Sequence, residues 1–420
     1  MKHYLQRANK VLGRINELAG FSDDSQYISR IYGTEAFIHC GHKIASWMQE
    51  AGLETRIDNI GNIRGLLRSK NPNAKTFVIA SHFDTVVNAG KFDGLLGIAI
   101  GIDLAEVIKE KDALLPFHIE IIAFSEQEGI RFSTSYIGSQ VVAGGFKNKW
   151  LEIKDREGFT LSQVLRSLNY NTEKIKEDAI LPDEWMGYLE IHIEQGAVLY
   201  EKGTPLGIVN IIAGHKKIDI TFTGESGHAG TVPMNKRRDA LCAAAKFITS
   251  VEKYASKEKR NTVATVGQIS VPDSAPNKIP GTVSCTLDLR SSDAQLLSEA
   301  YENINNLCEK VCDKRDIYFE WKLIQETDPV ICNKKLRKLL SNSLTEKSLE
   351  PVDLISWSAH DAAIISHVAP VVMLFVKCFK GISHDPLENV EINDIASALE
   401  VSDHFMNQLI AQEKTLKKNK

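Results

Sequence analysis

The sequence predicts an α/β fold in two parts. Residues 1–211 and 327–420 form a frame of buried strands and helices, and a smaller split-βαβ (ferredoxin-like) domain is inserted at 212–326. Two observations carry this expectation. Phe77-Val78-Ile79-Ala80, residues 117–124 and residues 370–376 are short apolar runs, the pattern of buried strands. Between 212 and 326 the order becomes strand, helix, two strands, helix, strand, which is a complete small domain.

Each element follows from its own pattern. Leu5, Ala8, Leu12, Ile15 and Leu18 line one helical face, so residues 5–19 read as a helix. The same spacing returns over 34–51 and stops at Gly52. Residues 55–58 and 62–67 read as paired strands around Gly61. The run from Phe77 ends in Ser81-His82-Phe83-Asp84, and a polar loop leads through Phe92-Asp93-Gly94 into a buried helix over 97–108. The strand at 117–124 ends in Ser125-Glu126-Gln127-Glu128-Gly129. Residues 146–180 are polar and helical. A third strand, 187–193, runs into His192-Ile193-Glu194-Gln195-Gly196, with Glu190, His192 and Glu194 alternating onto one face. In the inserted domain strands are expected over 217–222, 262–271, 282–289 and 317–323, and helices over 239–255 and 293–312. The frame resumes with a helix over 334–344. A strand over 370–376 follows, then Gly381-Ile382-Ser383-His384 and a closing helix over 391–411.

Composition narrows the functional classes. A length of 420 residues suits two domains, or three. The apolar share of 43% and charged share of 25% are ordinary for a globular protein. A net charge of −4 gives no electrostatic case for nucleic acid, and the basic end, 414–420, reads as a solvated tail. No apolar run nears the roughly 20 residues of a membrane span, and the polar, helix-patterned start does not read as a signal peptide. The seven cysteines, Cys40, Cys242, Cys285, Cys308, Cys312, Cys332 and Cys378, are odd in number and dispersed, which points to reduced thiols and a cytoplasmic location. Cys308 and Cys312 lie one helical turn apart without a histidine or a second cysteine pair, so no structural zinc is expected there.

The chemistry gathers where strands end. Four strand-like runs finish in candidate ligands: His82 with Asp93, then Glu128, His192 and His384. In open α/β sheets the carboxyl edge is where ligands bind. Imidazoles and carboxylates together suit divalent cations. The set is large enough for two ions sharing one carboxylate, an arrangement that clamps both oxygens of a hydrolysis. Asp84, two residues past His82, is placed to hold the other ring nitrogen of that histidine.

These segments resemble the M20 metallopeptidase clan and, within it, the hydantoinase/carbamoylase amidase family. That family includes N-carbamoyl-L-amino-acid amidohydrolases, allantoate amidohydrolase and β-ureidopropionase. The matching stretches are Ser81 to Val86, Phe92-Asp93-Gly94, Glu128 to Phe132 and Ile191 to Gly196. His228 to Met234, Arg237 to Ala240, Asn277 to Gly281 and Leu287 to Arg290 match as well, as do His360-Asp361-Ala362 and Gly381 to His384. The resemblance implies a two-metal, aminopeptidase-like catalytic domain interrupted by a lid and dimerisation domain, hence a homodimer. It implies that Asp93 bridges two ions (Zn2+, Mn2+, Co2+ or Ni2+), with His82 and His192 on one and Glu128 and His384 on the other. It further implies that Arg290 anchors a substrate carboxylate, that His228 steadies the reacting oxygen, and that Gln195 and Asn277 are polar substrate contacts. His360 reads as a pocket residue, and His215 and His367 as structural.

Two departures qualify the resemblance. The family places a general-base glutamate directly before its metal-binding glutamate, whereas this chain has Gln127 before Glu128. A carboxamide cannot take a proton from water, so Gln127 suggests an inactivated Glu-to-Gln variant of reduced activity. Relatives that cleave carbamoyl substrates usually carry Gly-Ala-Gly where Trp357, Ser358 and Ala359 stand, so the pocket is expected to differ. The sequence therefore predicts a metal-dependent amidohydrolase acting on a linear C–N bond of a small N-carbamoyl or N-acyl amino acid. The alternatives are a di- or aminopeptidase of the same clan and a non-catalytic binding protein.

Overall fold

The computed structural model of the chain describes residues 2–111, 114–257 and 262–418. The chain divides into two compact bodies. The first comprises Met1–Asn210, Cys332–Leu354 and His360–Lys420, and the second Ile211–Ile331 with Ile355–Ala359. The sequence reading places the insert at 212–326. Here the second body extends to Ile331, because Val330 and Ile331 pair with Ile212 and Ile211.

The first body is built on one mixed sheet. In spatial order seven of the sheet's nine strands are Glu54–Ile57, Ile63–Leu67, His118–Phe124, Thr76–His82, Trp185–Ile193, Val371–Val376 and Leu206–Ile212. His118–Phe124, Thr76–His82, Trp185–Ile193 and Val371–Val376 are mutually parallel, and the flanking strands run antiparallel. Every residue of Thr76–His82, His118–Phe124 and Val371–Val376 is buried. That is the reason these runs are apolar without alternation: both faces are covered. The helix Leu95–Glu110 is apolar nearly all round and buried along most of its length. Glu35–Glu50 begins at Thr34, whose hydroxyl accepts from the Phe37 N–H. The closing helix runs Ile392–Lys418, so the basic end is helical for most of its length, and Asn419 and Lys420 lie outside the described residues. The stretch 146–180 holds only three short helices, Asn148–Glu152, Leu161–Ser167 and Ile175–Asp178.

The second body has a four-stranded antiparallel sheet ordered Tyr318–Thr327, Gly214–Thr223, Thr282–Ser291, Thr262–Ser270. With the helices Ala240–Lys257 and Ala294–Asp313 between strands, this is the split-βαβ arrangement read from the sequence. The strand Thr282–Ser291 alternates buried and half-buried, as a strand covered on one face does. Asp293 caps the second helix, accepting from the Leu296 N–H at 2.9 Å. The core of this body is its own, formed by Ile218, Ile220, Phe222, Phe247, Leu287 and Leu297 among others. All seven cysteines are free, and Cys308 and Cys312 are buried in that core. Among the described residues no helix is long and apolar enough to cross a membrane.

Candidate active site

The parallel strands of the first body set the site. Because they run the same way, their carboxyl ends, His82, Phe124, Ile193 and Val376, all lie at one edge. His82 ends its strand, His192 is the penultimate residue of its own, and Glu128 and His384 lie four and eight residues beyond theirs. Asp93 arrives from the loop before Leu95–Glu110. Gly94, which starts that helix, has φ +67°, and a Cβ there would lie 2.3 Å from the His82 carbonyl oxygen and 2.8 Å from its ring. Only glycine allows Asp93 to approach His82 this closely.

The other four candidate ligands gather around Asp93. Its Oδ1 lies 3.2 Å from Nε2 of His82 and 3.0 Å from Nε2 of His192. Its Oδ2 lies 3.2 Å from Nε2 of His384, which is itself 3.3 Å from Oε1 of Glu128. The Nδ1 atoms of His82 and His192 face backbone carbonyls of Asp84 and Ile193 at 3.1 and 3.0 Å. A ring that donates from Nδ1 keeps the Nε2 lone pair for a cation. The electrostatics show that the site favours positive charge next to Asp93. Burial works against a charged His82 and a charged Asp93. Their attraction, shared with His192 and His384, overrides it, holding the imidazole well above and the carboxyl well below their ordinary values. Hydrogen bonds to Asp93 and Glu128 push His384 up to about 10. The donor set thus fits a pair of divalent cations: nitrogen and oxygen donors only, in two groups joined by one carboxylate.

The residues around the ligands differ in part from expectation. The Asp84 carboxylate oxygen is 3.8 Å from Nδ1 of His82, and that nitrogen is taken by the Asp84 backbone carbonyl instead. The carboxylate accepts the backbone N–H groups of Gln127 and Glu128, both at 3.0 Å, so it holds the turn that carries Glu128. Gln127 is buried in that turn. Gln195 reaches the cluster itself, with Nε2 2.8 Å from Oδ2 of Asp93 and 3.3 Å from Nε2 of His384. His360 is buried beside His192, their ring centroids 4.6 Å apart, and its Nδ1 faces Oε1 of Glu190 at 3.5 Å. The other Glu190 oxygen accepts from the Tyr188 hydroxyl at 3.0 Å and the Ala362 N–H at 2.8 Å. Glu194 turns away and caps the helix Val198–Lys202 through the N–H groups of Val198 and Leu199.

Sequence reasoning did not single out Glu126, Ser383 or Glu388. Glu126 is buried at φ +50°. Burial, reinforced by the Asp84 charge, raises its carboxyl to about 8, and it accepts from the Phe132 N–H at 3.1 Å. Ser383 and Glu388 lie against Asp93. Glu388 follows Pro386 in a polar turn, where a glutamate is ordinarily solvated, so nothing local in the sequence marks it.

Of the remaining expected residues, His228, Asn277, Arg290 and His215 belong to the second body and His367 to the first. His228 is exposed in the two-residue strand Gly227–His228 paired with Lys278–Ile279, and its Nδ1 accepts from the Gly230 N–H at 3.0 Å. Asn277 is exposed, and its carbonyl accepts from the Ala229 N–H at 2.8 Å. Arg290 grips both carboxylate oxygens of Asp288, at 2.7 and 2.9 Å, and donates to the Trp357 carbonyl at 2.6 Å. The guanidinium expected to anchor a substrate carboxylate thus already holds an internal one. Although burial opposes it, that pairing keeps the Asp288 carboxyl below its ordinary value. His215 is buried against Thr327 at 2.8 Å, and His367 is exposed.

Comparison with known proteins extends this geometry to a family. The chain matches peptidase family M20/M25/M40 over residues 78–408. It is 36% identical to allantoate deiminase 2 of Glycine max, over 96% of this chain and 89% of that protein. It is 35% identical to an N-carbamoyl-L-amino acid amidohydrolase of Geobacillus stearothermophilus, over 87% of this chain and 89% of that protein. Among solved structures, a hydantoinase/carbamoylase family amidase from Burkholderia multivorans is similar at a TM-score of 0.83 and 27% identity, covering 95% of this chain and 97% of that one. With these matches covering most of its length, this chain belongs to the M20 peptidase family, in its hydantoinase/carbamoylase amidase branch.

Proposed function

We propose that this chain is a metal-dependent amidohydrolase that cleaves the linear C–N bond of a small N-carbamoyl (ureido) or N-acyl amino acid with a free carboxylate. One observation carries the reading: the two oxygens of Asp93 divide between His82 with His192 on one side and His384 with Glu128 on the other. Relatives named as a deiminase of allantoate and an amidohydrolase of N-carbamoyl-L-amino acids support C–N hydrolysis. When bound, two divalent cations lower the pKa of water and polarise a carbonyl. The chain's own residues do the rest. Backbone carbonyls fix the ring tautomers of His82 and His192. Asp84 fixes the turn of Glu128, and buried Glu190 orients His360 toward the cluster. By the family resemblance, Asn277 and Arg290, whose guanidinium here holds Asp288, are assigned to the substrate carboxylate, and His228 to the developing oxyanion.

Gln127 limits this chain. Its amide cannot accept the proton that a carboxylate at that position takes, and a missing general base costs about 10²–10⁴ in rate. The test is ammonia release from N-carbamoyl amino acids by the parent and by Gln127→Glu, each loaded in turn with zinc, manganese, cobalt or nickel. The expected result is a gain in kcat of roughly 10²–10⁴ for the variant. An unchanged kcat with cations bound removes position 127 from the proton transfer. Cleavage of dipeptides without ammonia release indicates a peptidase of the same family. Gln127 also favours one second reading, a protein that binds such amino acids without turning them over. Tight binding with no turnover in Gln127→Glu would establish that reading instead.

A further inference from the structure

We infer that Glu388 is a positioning residue for the cation pair, acting on the Oδ2 side of Asp93 by fixing the Asp93 backbone directly and its carboxylate through Ser383. The inference rests on the two-cation reading above and concerns a residue outside the five ligands.

Four observations converge on it. Oε1 of Glu388 accepts the backbone N–H groups of both Phe92 and Asp93, at 2.7 and 3.1 Å. These amides precede the helix Leu95–Glu110 and have no ladder partner, so a buried carboxylate is what satisfies them. The hydroxyl of Ser383 lies between the two carboxylates, 2.8 Å from Oδ2 of Asp93 and 3.2 Å from Oε2 of Glu388. The loop is shaped around this side chain: Glu388 is 4% exposed, and a Cβ at Gly90 would lie 2.2 Å from its Cδ. Finally, Glu388 stands four residues after His384, so one short segment supplies both a ligand and the clamp that holds the shared ligand opposite it.

The contact with the Asp93 carboxylate is one-sided. Ser383 touches Oδ2 of Asp93, the oxygen facing His384, whereas Oδ1 faces His82 and His192. Removing the clamp therefore falls mainly on the cation shared by Asp93, Glu128 and His384. Loss of a group that orients a metal ligand typically weakens binding about 10–100-fold. A carboxylate that merely closed a loop would have no such preference between the two ions.

The test uses the full chain, equilibrium-dialysed against buffered zinc or manganese, with bound metal counted per chain and folding checked by circular dichroism. The parent should bind two ions. Glu388→Ala should keep one at parental affinity and weaken the other at least about tenfold. Glu388→Gln should restore most of the loss, since its carboxamide oxygen still accepts both backbone N–H groups. Fewer than two ions on the parent overturns the two-cation reading and this inference with it. With two ions on the parent, equal affinities in Glu388→Ala, equal loss of both ions, or no rescue by glutamine overturns this inference alone. If Glu388→Ala does not fold, Ser383→Ala decides: it leaves the backbone contacts intact and should still weaken one ion selectively, and an unchanged pair of affinities overturns the inference.

Discussion

Asp84 and Asp93 are both fully buried at the same sheet edge, yet their environments drive them apart. Asp93 is surrounded by three imidazoles and held well below the usual carboxylate range. Asp84 is raised, chiefly by burial, although His82 pulls the other way. The difference tracks their partners: three imidazoles for one, two neutral backbone amides for the other. Asp84 therefore has a structural task, and Asp84→Asn tests it. The amide keeps the shape but points an N–H at one of the Gln127 and Glu128 amides, a mismatch worth about 1–3 kcal/mol when buried. Hydrogen exchange at those two amides should accelerate roughly tenfold or more. Exchange at the parental rate would show that Asp84 does not hold the turn. The spacing of Asp84 after His82 was legible in the sequence, but its direction was not. Past the strand end the two-residue alternation no longer fixes where a side chain points.

The central strands were legible because burial on both faces leaves an unbroken apolar run in the sequence. Leu206–Ile212 was not, since only Ala213 separates it from Gly214–Thr223 and the two strands read as one run. Glu388 was illegible for a different reason. Its partners, Phe92 and Asp93, are nearly three hundred residues away, and no local pattern encodes such a contact. Glycines at helices show how the same residue type carries different meaning by position. Gly94 starts Leu95–Glu110 at φ +67° with the His82 carbonyl 2.3 Å from its missing Cβ, whereas Gly13 lies mid-helix in Lys2–Ala19 with nothing within 4 Å. Gly13→Ala should stabilise the protein by about 0.5–1 kcal/mol through helix propensity. Gly94→Ala should destabilise by about 1–3 kcal/mol, from strained backbone and displaced His82, and should lower metal binding as well. Denaturant midpoints and bound metal per chain read both, and equal effects of the two substitutions would contradict this assignment.

At the scale of the whole molecule, the division into two bodies gives cation binding a local signature. His82, Asp93, Glu128, His192 and His384 all belong to the first body, and the second body has a separate core. A cation that binds the folded site and not the unfolded chain stabilises by about 2.7 kcal/mol at a concentration one hundred times its Kd. That stabilisation belongs to the body that forms the site. Removing metal with a chelator should therefore speed hydrogen exchange in Thr76–His82, Trp185–Ile193 and the start of Leu95–Glu110. Exchange in Gly214–Thr223 and Thr282–Ser291 should stay as it was. The comparison also separates specific from non-specific metal, because ions scattered over a chain carrying 54 acidic residues would slow exchange without regard to body. An equal response in both sheets, or none in the first, would mean that Asp93 and the four side chains gathered around it do not form the cation site.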